Sequence, residues 1–359
     1  MAMEKVFEPV ERARLAGEMT EKLIFTRGLW SNNSGNLLTF FTSSLQNATS
    51  KAYYYQVWQS ASNSCDEYQA FSVAYGHISG SGSLNSGGEV SDTPSRAIYS
   101  QYRLLCLNPE ENSFYHYNST TRKINHFYAI NFDRNRVGDK LDPGNFEISI
   151  AELNGGAYSN NAFTGSNVAV SSSGKVITLI DDSGDATDTL GYGGIPSNVR
   201  SLVSGTIDGG IYSTEGYGLV FADLGVILID ADMLNTSASF NTVTGSNIAG
   251  DNSFKIFTAI SGAGDLGSPF TARAVDIKEQ DFYFVRVKNR SFNYSNNPTF
   301  KSGSDGELAV SSFRFEPNTY VTSIGLYNDQ RELLAVAKVS QPLQKSFNSE
   351  LSITVKLEY

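Results

Sequence analysis

Histidine and cysteine, the side chains that most often ligate transition metals or act as nucleophiles, are scarce: three and two in 359 residues. His77, His116 and His126 sit in no HExxH, HxH or mixed Cys/His ligand spacing. His77 precedes a Gly/Ser loop and His116 lies between Tyr115 and Tyr117, so packed or surface imidazoles are expected and no role is assigned to them. Cys65 and Cys106 lack CxxC spacing and are too few for a stapled scaffold; two buried, reduced thiols are expected. Charged residues make up only 18%, which excludes a disordered polyelectrolyte or a long helical rod. No apolar run approaches the ~18 residues of a membrane span. The charged start MAMEKVFEPVERARLAGEM has no apolar core of a signal peptide, so synthesis and assembly in a cytoplasm are expected, with no membrane partner. A net charge of -10 without a Lys/Arg cluster argues against a nucleic-acid partner.

What is abundant points to strands. Aromatics reach 12%, and 32 glycines accompany many Ser, Asn and Thr residues. Val10, Ala13, Ala16, Met19 and Leu23 recur at helical spacing after Pro9, predicting one amphipathic helix, the longest in the chain. Beyond Phe25, short apolar or alternating runs predict strands at 53–58, 97–107, 127–132, 146–153, 176–181, 217–222, 226–229 and 282–288. The runs 320–327, 333–339 and 351–357 read as an antiparallel meander with a turn at 328–331. The expected fold class is mainly β, with antiparallel sandwich-type domains and a short N-terminal helix. The expected division is a helical arm (1–30), an aromatic-rich β-domain (31–153), a Gly/Ser/Asn-rich inserted β-domain (154–280) and a C-terminal meander (281–359) that co-folds with 31–153.

No constellation for chemistry emerges. There is no G-x-S-x-G elbow, and Gly80-Ser81-Gly82-Ser83 reads as a flexible loop. Gly191-Tyr192-Gly193-Gly194 lacks the Lys-Ser/Thr of a phosphate loop and runs into Pro196, so it reads as a turn. Asp181, Asp182, Asp185 and Asp188 could offer hard oxygen ligands to calcium, but without the twelve-residue EF-hand pattern a solvated turn is the plainer reading. Tyr53, Tyr54, Tyr55, Tyr99, Tyr102, Phe114, Tyr115, Tyr117, Phe127 and Tyr128 could form an interface or fill a β-core. No catalytic, cofactor-binding or metal residue is assigned, and no cofactor is expected.

The C-terminal hairpin carries the first of two resemblances. Residues 320–338, YVTSIGLYNDQRELLAVAK, followed by PLQKS and ITVKL, resemble in order and content the hairpin of tail-collar fibre proteins of contractile-tailed phages. FNYSNNPTF (292–300) and YGLVFADLGVI (217–227) are similar to segments of structural proteins of T4-like marine phages. These pieces cover about a third of the chain and are fold signals rather than catalytic ones. Read as alternating strands, Val321, Ser323 and Gly325 share one face and Thr322, Ile324 and Leu326 the other, with apolar residues on both. Such a hairpin belongs in a sandwich core or at a subunit contact. The resemblance implies a non-enzymatic virion structural protein, joining baseplate or tail components to each other or to fibres. Its partners would be other virion proteins in a multi-copy assembly. A capsid or neck component and a glycan-binding module are the alternatives.

Overall fold

The computed structural model describes residues 14–30, 33–42, 54–59, 69–83, 93–116, 121–154, 168–183, 199–242, 251–293, 298–303 and 307–358. The fold is mainly β, with 52% strand and 19% helix, antiparallel sheets and one sheet curled into a half-barrel. The chain divides into two compact units, Phe25–Asp276 and a second made of Met1–Ile24 with Ile277–Tyr359. These limits differ from the expected boundaries at 153 and 280: the aromatic-rich stretch and the Gly/Ser/Asn-rich stretch contribute strands to one sheet.

The elements used below are β1 (Arg14–Gly28), β2 (Tyr54–Trp58), β3 (Gln69–His77), α1 (Pro94–Cys106), β4 (His126–Phe132), β5 (Lys140–Ala151), β6 (Val176–Asp181), β7 (Val199–Thr206), β8 (Gly210–Phe221), β9 (Val226–Asp230), α2 (Ala231–Ser237), α3 (Asp251–Asp265), β10 (Phe270–Val287), β11 (Thr319–Tyr327), β12 (Leu333–Lys345) and β13 (Leu351–Glu358). Within Phe25–Asp276, neighbouring strands run in the order β10, β5, β6, β7, β8, β9, β4, β3, β2, every pair antiparallel.

Alternation sends side chains to two cores. On one face Tyr128, Ile130 and Phe132 of β4 and Ile227 and Ile229 of β9 pack with Ile256, Ala259 and Ile260 of α3. On the other, Phe127 and Ala129 of β4 and Val226 and Leu228 of β9 pack with Ile98 and Tyr99 of α1. Sheet strands covered on both faces read as continuous apolar runs, which is why VILID in β9 is buried at every position.

Three expectations need correction. The N-terminal helix is a strand over Arg14–Gly28: its helical spacing loses to the run of β-formers Ile24, Phe25 and Thr26. The segment 97–107 is helix α1, not a strand. Pro94 supplies the first helical turn, and Ser95, Ile98, Tyr99 and Cys106 recur at i, i+3, i+4 on its buried side. The meander is incomplete, because β13 pairs with β10 from Gln280↔Glu358 to Val287↔Leu351, while only β11 and β12 form a hairpin.

Cys106 lies in the α1 core, where burial pushes its thiol up to about 12. In a Cys65→Ser background its reaction with a disulfide reagent should be about a thousandfold slower than that of an unperturbed thiol. The rate should recover on unfolding in urea; a native-state rate equal to that of free cysteine would contradict this burial. Cys65 lies outside the described residues.

Candidate functional site

The sheet's topology gathers residues that lie far apart in sequence. β3 ends at His77 directly opposite His126, where β4 begins. β9, on the other flank of β4, ends at Asp230, opposite Phe127. All three strand ends therefore meet at one edge of the sheet. There the chain leaves β9 with Asp230 in an extended conformation and enters α2 at once, the Asp230 carboxylate accepting from the Asp232 backbone N–H at 3.0 Å. This N-cap fixes the direction of the first helical turn and so places Asp232. His116 follows the short strand Phe114–Tyr115, its backbone N–H donating to the Arg122 carbonyl at 3.0 Å.

Two imidazole–carboxylate pairs result. His116 Nε2 lies 2.8 Å from Asp230 Oδ2, with side chains only 3% and 4% exposed. His126 Nε2 lies 2.9 Å from Asp232 Oδ1; the histidine is buried, while the Asp232 side chain is 68% exposed. The other nitrogen of His126 is 3.0 Å from the Tyr75 hydroxyl, and burial raises the Tyr75 pKa well above the usual phenol range. The His77 ring packs edge-on against His126 with centroids 5.3 Å apart, and its Nδ1 accepts the Ser79 backbone N–H at 3.1 Å. Burial first, and the neighbouring His126 second, lower the His77 pKa to about 4.

The far side of His116 is unusual. Its Nδ1 is buried and has no hydrogen-bond partner, and the same is true of Ser201 Oγ. A Cβ built on Gly216 would sit 2.9 Å from that Nδ1 and 3.4 Å from that Oγ, so glycine keeps this space open. His116 Nε2 and Asp230 Oδ2 thus share the one hydrogen bond this imidazole makes through its ring nitrogens. His126, Asp230 and Asp232 bring one donor atom each to within 4.8 Å of one another. All three histidines of the chain, to which the sequence assigns no role, thus lie around this pair of carboxylates or against a neighbour that does.

The residues singled out by sequence lie elsewhere. Asp181 is buried at the end of β6, accepting the Gly144 N–H at 3.0 Å and the Ser183 hydroxyl at 3.0 Å, and Asp182 accepts the Ser201 N–H at 2.9 Å. Burial raises both carboxyl pKa values. These two oxygen donors serve the protein's own amides rather than a solvated turn; Asp185 and Asp188 lie outside the described residues, as does the Gly191–Gly194 turn. The Gly80–Ser83 loop is tied to α1: Thr93 Oγ1 donates to the Gly80 carbonyl at 2.8 Å and Ser95 Oγ to the Ser81 carbonyl at 2.9 Å. Among the aromatics, Tyr55, Tyr99, Phe114, Phe127 and Tyr128 fill the two cores, and Tyr54 is exposed. Tyr53 and Tyr117 lie outside the described residues.

Comparison of the chain with protein-family models, with curated proteins and with solved structures finds no match in any of the three.

Proposed function

We propose that this chain is a non-enzymatic structural protein of a contractile-tailed phage virion, joining baseplate or tail components to each other or to fibres. The observation that carries the reading is the apolar outer face of the β11–β12 hairpin. In the unit containing Ile277–Tyr359, the inner face of the hairpin packs Val321, Ile324 and Leu343 against Val285, Val287 and Ile353. A register shift between Val321 and Ser323 flips the alternation there, so Val321 joins Ile324 on the inner face rather than Gly325 on the other.

The outer face keeps Tyr320, Tyr327, Leu333, Leu334 and Val336 exposed, Leu334 at 68%. Single exposed apolar side chains need no explanation, but Tyr327, Leu333, Leu334 and Val336 gather at the turn end of the hairpin, a cluster of the kind that marks an interaction site, with Tyr320 at the other end opposite Gln344. The segment is also the one that resembles the phage fibre hairpin. Low charge density across the chain fits permanent interfaces, which avoid desolvating unpaired charge.

The test is imaging of virions assembled with the wild-type chain and with a Leu334→Asp/Val336→Asp variant. The expected result is chain density in a ring at the tail end, with the hairpin face covered by a neighbouring protein, and loss of that density in the variant. Density on the capsid, or virions that lack the chain altogether, would overturn the reading.

A further inference from the structure

We propose that His126, Asp230 and Asp232 form a binding site for one divalent first-row transition metal ion, with zinc(II) the best match. The donor set is one imidazole and two carboxylates, converging within 4.8 Å. An imidazole disfavours calcium and magnesium, which take all-oxygen shells, and suits zinc and its neighbours. Zinc–ligand distances of about 2.0–2.2 Å put tetrahedral donors roughly 3.4 Å apart. The observed spread of up to 4.8 Å is wider, and Asp232, whose side chain is mostly in solvent, is the ligand best able to swing.

The surroundings are those of oriented ligands. His126 is fixed from its other nitrogen by the buried Tyr75 hydroxyl, leaving Nε2 as the ligating atom. Asp230 is held at both oxygens, by the Asp232 N–H on Oδ1 and by His116 Nε2 on Oδ2. Such partners set ring tautomer and carboxylate orientation in metal sites. A helix cap alone explains the first of the Asp230 contacts and an exposed ion pair explains His126 with Asp232. Neither requires a second, buried histidine committed to the outer oxygen of the cap. Two carboxylates drawn together at one sheet edge are also the charge a dication neutralises.

Entry is from the Asp232 side, and the three protein ligands leave a coordination position there for water. In binding, the cation takes the place of the hydrogen bond between His126 Nε2 and Asp232 Oδ1, and the neutral imidazole ligates as its Nδ1–H tautomer, with that N–H facing the Tyr75 hydroxyl oxygen.

The experiment is calorimetric titration of the chelator-treated full chain with zinc chloride, together with cobalt(II) absorption spectroscopy. One ion per chain is expected to bind, with a Kd on the order of 1 μM or tighter. Asp232→Asn, an isosteric change at an exposed position, should weaken binding at least about tenfold while leaving the circular dichroism spectrum unchanged. Cobalt should give weak d–d bands without the intense thiolate charge-transfer band that a cysteine site would add. Absence of saturable binding, equal affinity in Asp232→Asn, or a thiolate band would each overturn the proposal.

Discussion

Replacing Phe270 with Ala is expected to destabilise the Phe25–Asp276 unit by about 3–5 kcal/mol, the largest effect of any single truncation in its core. Phe270 is the ring that others surround: centroids of Trp30, Phe71, Phe132 and Phe146 lie 5.5, 5.4, 5.8 and 5.8 Å from it, mostly edge-on. Rigid aromatic neighbours collapse poorly into a void, so the cavity term adds to the lost transfer energy rather than relaxing away. Each edge-on pair contributes roughly 0.5–1.5 kcal/mol beyond area burial. The Phe270 carbonyl also accepts the Trp30 indole N–H at 3.1 Å, a bond that depends on β10 holding its place after the ring is gone. Urea unfolding followed by tryptophan fluorescence measures the change. Leu104→Ala, at an exposed position on α1, should stay within about 0.5 kcal/mol and serves as the reference. A Phe270→Ala loss no larger than that reference would show that the aromatic cluster does not hold the sheet together.

Asp230→Ala, measured in metal-free buffer, should cost about 3–5 kcal/mol, whereas Asp232→Ala should cost no more than about 1 kcal/mol. Both residues pair with a histidine at nearly the same distance, 2.8 and 2.9 Å, so distance does not separate them. Burial does. Removing Asp230 strands the His116 imidazole, itself only 3% exposed, without its acceptor, and it also removes the N-cap of α2. Removing Asp232 leaves a vacancy that solvent fills. A double-mutant cycle of Asp230→Ala with His116→Leu should recover part of the loss, because the second change deletes the stranded polar group. Equal costs for the two aspartates would mean that the His116 pair is hydrated and that the edge of the sheet is open there.

The strands were legible wherever β-branched or aromatic residues alternate or run together, as in 176–181 and 226–229, which reappear as β6 and β9. α1 is legible in principle: Thr93-Pro94 followed by apolar residues at 98, 99, 102 and 106 is a helix-start pattern. α3 was not, since its buried stripe is built largely from Ala, Gly and Ser around Ile256 and Ile260, composition that reads as a loop. The site was illegible for a different reason. His77, His116, His126, Asp230 and Asp232 share no spacing rule, because what unites them is the pairing of β4 with strands from both sides. Only the scarcity of histidine could have prompted the question of whether the three meet.

That pairing also bears on how the chain acquires its shape. β4 has β3 on one side, about fifty residues earlier, and β9 on the other, about a hundred residues later. The most buried strand pair of the sheet therefore joins segments made at very different times. Until Val226–Asp230 leaves the ribosome, Phe127–Asn131 presents an unpaired apolar edge to the cell, a template for any other strand that passes. The order in which the sheet is written and the order in which its neighbours pair do not coincide.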